Sequence, residues 1–99
     1  MSIGESARHL FIEKDTKSTF ELVKEAGSNI GKIKESDSNL NILTIKTRYG
    51  LQGVKLRVSL EPKDNGTIVY VSGFGADVWG GGAKKGTDKL FSAMSNLIS

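Results

Sequence analysis

The sequence predicts an α+β domain: a five-stranded antiparallel sheet with two helices packed on one face, in the order β-α-β-β-β-β-α. Three observations carry that expectation. Apolar residues recur at helical spacing twice, around Phe20 and around Leu90. Between these stretches the pattern changes to period two, the signature of strands with one covered face. The strand-like segments are separated by short turn signals, too short for the crossovers that parallel pairing requires.

Taken in order, residues 1–7 are small and polar and are expected to form a flexible tail, leaving 8–99 as a single domain. Residues 8–13 form the first strand, with Leu10, Phe11 and Ile12 as its bulk. Asp15, Thr16 and Ser18 offer helix N-caps, and Ser18 with Glu21 has capping-box spacing. Phe20, Val23 and Ala26, joined by Leu22 and Ile30, make an apolar stripe, and Gly27 or Gly31 is expected to end the helix in a left-handed cap. Residues 32–37 and 41–49 read as strands around a Ser38-Asn39 turn. In the second of these, Leu43, Ile45, Thr47 and Tyr49 oppose Ile42, Thr44, Lys46 and Arg48. After a turn at 50–53, residues 54–61 alternate cleanly: Val54, Leu56, Val58 and Leu60 against Lys55, Arg57, Ser59 and Glu61. Residues 62–66 give a hairpin in which Asn65-Gly66 suits a primed turn. Residues 67–74 are apolar on both faces and read as an interior strand, beside which the first strand is expected to return. A glycine-rich loop leads into a final helix at 83–98, with Leu90, Phe91, Met94, Leu97 and Ile98 as its stripe.

The bulk composition narrows the function classes. The 99 residues have a net charge of +3, a mildly basic balance that weakly favours acidic partners without marking a dedicated nucleic-acid binder. With no cysteine, disulfides, thiolate metal sites and cysteine nucleophiles are excluded. His9 is the single histidine, so a metal site of several imidazoles is excluded and a Ser-His-Asp triad would have to use His9. No apolar run approaches the roughly 18 residues of a membrane span, and the N-terminus lacks a signal-peptide pattern. A cytoplasmic, non-enzymatic domain without a cofactor is the expectation.

The element order, with Lys32-Ile33-Lys34 after a helix, the Asp64-Asn65-Gly66 hairpin, and Gly80-Gly81-Gly82 opening an amphipathic helix, resembles small bacterial domains of unassigned function. At the level of fold it is similar to the helix-grip (Bet v1-like) and TATA-binding-protein-like groups. The first resemblance implies an apolar ligand held between sheet and C-terminal helix. The second implies an open sheet face turned to DNA, but the paired phenylalanines that wedge between bases are missing, so DNA bending does not carry over.

Four constellations are candidates for function. An apolar pocket under the last helix, for a small apolar molecule, would be lined by Tyr49, Leu56, Tyr70, Phe91 and Met94, with Trp79 at its mouth; plain core is the alternative use of the same stripe. Lys46, Arg48, Lys55 and Arg57 should share the outward sheet face with Lys32 or Lys34, forming a basic surface for anions. Lys84 and Lys85 stand at a glycine-rich helix start that could hold phosphate, although the spacing matches neither standard phosphate motif. A sheet edge or the open face could instead serve a protein partner, including a second copy.

Overall fold

The computed structural model describes residues 4–49, 52–75 and 81–98. Seven elements follow in order: β1 (Gly4–Ile12), α1 (Thr16–Ile30), β2 (Lys32–Asp37), β3 (Ile42–Tyr49), β4 (Gln52–Lys63), β5 (Gly66–Gly75) and α2 (Gly81–Ile98). The five strands form one antiparallel sheet in the order β1-β5-β4-β3-β2. Strands β2 to β5 are the expected meander, and β1 returns beside β5. Both helices cover one face, which the alternation of burial along β4 and β5 makes plain.

The apolar side chains of that covered face close into a continuous core. Leu43 and Ile45 of β3, Val54, Leu56 and Val58 of β4, and Val69 and Val71 of β5 meet Phe20, Val23 and Ala26 of α1 and Leu90 and Met94 of α2. Helix α2 lies close on the sheet: a methyl group at Gly73 would stand 2.8 Å from the Ala83 carbonyl oxygen and 2.9 Å from the Thr87 hydroxyl. A side chain there would push the helix outward.

Several local expectations are corrected. Strand β1 begins at Gly4, so residues 4–7 are paired with β5 rather than forming a tail; backbone pairing needs no apolar side chain to announce it. The cap of α1 is Asp15, whose carboxylate accepts the Ser18 N–H at 3.2 Å, so Ser18 already lies in the first turn and the Ser18–Glu21 capping box is not used. Hydrogen bonds from the Ser18 side chain and then its backbone hold the Asp15 carboxyl below its ordinary value. Gly31 does end α1, but at φ −177°, which is extended backbone and not a left-handed cap. In the β4–β5 hairpin the loop is Asp64-Asn65, and neither has positive φ; among the described non-glycine residues only Asn41 does, at 57°. Gly31 and Gly66 are required instead by close approach, since an added methyl would collide with the carbonyls of Lys46 and Ile12 respectively.

The two outer strands differ in construction. Strand β2 has six residues and a bulge, its pairing with β3 shifting register between Ile33 and Glu35. Strand β1 has nine residues and pairs with β5 in unbroken register from Gly4 to Ile12.

Candidate functional site

Of the six residues expected to line a pocket, the four whose side chains are described, Leu56, Tyr70, Phe91 and Met94, do not share one depression. Leu56 and Met94 are fully buried within the core. Tyr70 points to the opposite, uncovered face, where it is 41% exposed and its hydroxyl donates to Glu61 Oε1 at 3.0 Å. That bond raises the Tyr70 pKa, because it favours the neutral phenol beside a carboxylate. Tyr49 closes β3, paired with Gln52, and Trp79 lies outside the described residues. Of the four described side chains, Phe91 stands at a sizeable depression, which lies between β1 and the outer flank of α2 at the margin of the core.

This depression is an open groove of about 940 Å³ between the edge strand β1 and helix α2. Its construction follows from two periodicities. Alternate residues of a strand share a face, so Arg8, Leu10 and Ile12 point together toward the helices while His9 and Phe11 turn to the open face. On α2, Asp88, Phe91, Ser92 and Ser95 stand at i, i+3, i+4 and i+7 and so form one stripe, with Ile98 at its end. Leu10 and Ile98 are 37% and 49% exposed, so two large exposed apolar side chains flank the half-buried Phe91 ring at this one groove. Arg8 spans its floor: the guanidinium lies 4.6 Å from the centroid of the Phe91 ring and pairs with the Asp88 carboxylate.

Chemically the groove offers apolar contact, a polar bridge and an unpaired strand edge. It offers no catalytic grouping. His9 faces the other way, 6.0 Å from the Tyr70 ring, and among the described residues no three of His, Asp and Glu are clustered. Arg8, Leu10, Asp88 and Ile98 are the residues that sequence reading missed. The alternation of Arg8, Leu10 and Ile12 was available, but the unbroken apolar run from Leu10 to Ile12 masks it.

The expected anion-binding residues separate into two groups. Lys46, Arg48, Lys55 and Arg57 are exposed and share the uncovered sheet face. Lys84 and Lys85 are exposed in the first turn and a half of α2, on the other side of the sheet. No described helix is long and apolar enough to cross a membrane. In comparisons with known proteins, the chain matches no family model, no curated protein and no solved structure.

Proposed function

We propose that this is a non-enzymatic protein-interaction domain that accepts an extended polypeptide segment along β1, with alternate apolar side chains of the segment seated in the β1–α2 groove. The observation that carries this reading is the coincidence of a long, unbulged edge strand with a groove lined by exposed apolar residues. An edge strand presents a row of free N–H and C=O groups, and a strand added there gains backbone hydrogen bonds for affinity. An adjacent groove reads every second side chain, because alternate residues of the added strand face the same way. The Arg8 guanidinium and the Asp88 carboxylate supply the polar contacts that fix register. An enclosed apolar-ligand site is less well supported, since the space beneath α2 is filled by Leu56, Leu90 and Met94.

The test is selection from a displayed random-peptide library, followed by amide chemical-shift mapping with the best peptide. Selected sequences are expected to alternate apolar and polar residues and to perturb β1 and the outer stripe of α2. Replacing the groove walls by Leu10→Lys with Ile98→Lys should weaken binding by about tenfold or more, the loss of over a kcal/mol of apolar contact. Selection of no peptide, or perturbation confined to another surface, overturns the proposal. So does a tight homodimer paired through β1, which would make a second copy the occupant.

A further inference from the structure

On the face of the sheet that neither helix covers, the pairing register puts three lysines in one row. Lys32 is opposite Lys46, Lys46 is opposite Lys55, and the row continues to Phe74 of β5. Neighbouring strands are about 4.8 Å apart, so adjacent lysines of the row leave the backbone well within a Debye length of each other, about 8 Å at physiological ionic strength. Directly opposed like charges destabilise a sheet. Two more cations flank the row: Arg57, opposite Thr44, and Arg48, opposite Gly53. All five are exposed. None has an ion-pair partner among the described residues, where the ion pair formed is that of Arg8 with Asp88 on the other face. Of the acidic residues that the register puts on this face, Glu35 accepts from Thr44, Glu61 from Tyr70 and Asp37 from the backbone of Asn39 and Leu40, while Glu5 of β1 is placed opposite Phe74 at the far end of the row.

The same face carries aromatic rings on the strands beside this charge. Phe74 is half-buried at the end of the lysine row, and Tyr70 stands four residues earlier on the same side of β5, held by Glu61 and flanked by His9. Uncompensated positive charge on β2 to β4, next to flat rings on β5, complements a chain that alternates anionic and aromatic groups. Among the described residues the uncovered surface is a sheet, with no helix or ribbon projecting from it to enter the major groove of a duplex.

We infer that this open face is a second binding site, for single-stranded nucleic acid, in which Lys32, Lys46, Lys55, Arg48 and Arg57 meet phosphates while Phe74 and Tyr70 stack on bases. Binding of this kind tolerates sequence and depends strongly on salt. It lies on the opposite side of the sheet from the β1–α2 groove and stands or falls independently of it.

The test is fluorescence anisotropy with a labelled oligothymidine and a labelled oligouridine of about 12 nucleotides, within the range one small domain occupies. If the five cations each neutralise a phosphate, the log–log salt slope is about −3.5, and affinity falls about a hundred-fold between roughly 50 and 200 mM salt. Lys46→Gln with Lys55→Gln should reduce the slope to about −2. Phe74→Leu should weaken binding about tenfold with the slope unchanged, as loss of one stacked base would. Circular dichroism on each variant separates these effects from misfolding. No binding at the lowest salt overturns the inference, as does binding that the double glutamine variant retains in full. Equal affinity for a duplex removes the stacking role and with it the single-strand assignment. Binding to phosphatidylserine vesicles without binding to either oligonucleotide assigns the face to lipid instead.

Discussion

The two edges of the sheet are built on different plans. Strand β2 is short, bulged at Lys34, and carries Lys32, Lys34 and Glu35 exposed. These are the devices by which natural sheets discourage further pairing. Strand β1 is half as long again, runs in unbroken register, and leaves Leu10 exposed beside Phe91 and Ile98 of α2. Among the described residues, one edge thus carries these devices and the other lacks the bulge and the short length. Since the means of protection are present in the same molecule, the open β1 edge is better read as a surface kept for pairing than as a defect of a small sheet.

That contrast depends on α2 having a closed inner flank and an open outer one, and this gives the largest expected effect. Leu56→Ala should cost about 3 kcal/mol, the usual toll for truncating a fully buried leucine, measured by denaturant unfolding. Ile98→Ala on the outer flank should cost under about 1 kcal/mol, because the side chain is already half exposed. A Leu56→Ala cost as small as that of Ile98→Ala would mean that space exists beneath the helix, and the enclosed-pocket reading would return.

Next in size is Arg8→Ala. It removes an exposed ion pair and a ring contact that together tie β1 to α2, so a loss of about 1 kcal/mol is expected, with hydrogen exchange in β1 rising more than in β2. Uniform acceleration across both edges would show that Arg8 contributes to global stability only. Smaller, and of opposite sign, is Lys46→Gln. Relieving repulsion from Lys32 and Lys55 should stabilise the fold by about 0.5 kcal/mol; destabilisation would indicate that the row is neutralised within the fold.

The smallest effect concerns Asp15, just beyond the end of β1. Its carboxyl is held below the ordinary value in the folded state, so its contribution is present above the unfolded value and is lost as pH falls through the folded one. Thermal stability of the parent should therefore decline more steeply below about pH 4 than that of Asp15→Asn, whose cap does not titrate. Parallel declines would remove Asp15 from the account of acid sensitivity.

The element order, the meander, the covered face and the return of the first strand beside the last were all legible from periodicity, because a pattern of period 2 or 3.6 is a direct statement about which face is buried. The cap and turn details were less so. Ser18–Glu21 has the spacing of a capping box, but Asp15 caps one turn earlier and accepts the Ser18 N–H, which makes Ser18 helical. Gly31 and Gly66 are held by long-range approach to Lys46 and Ile12, which local sequence does not report. The site was the least legible part. Phe91 reads as core by its spacing, and only the position of β1 at the sheet edge leaves its flank open. Tyr70, grouped by sequence with Leu56, differs from it by the one-residue alternation that sends a strand's side chains to opposite faces.

The most direct measurement is amide hydrogen exchange along both edge strands, with and without a saturating peptide selected for binding. The account predicts new protection at alternate amides of residues 8–12, the donors that do not already pair with β5, with β2 unchanged, and loss of that protection in the Leu10→Lys, Ile98→Lys variant. Protection that appears in β2, or binding that leaves the β1 amides as exposed as before, would contradict it.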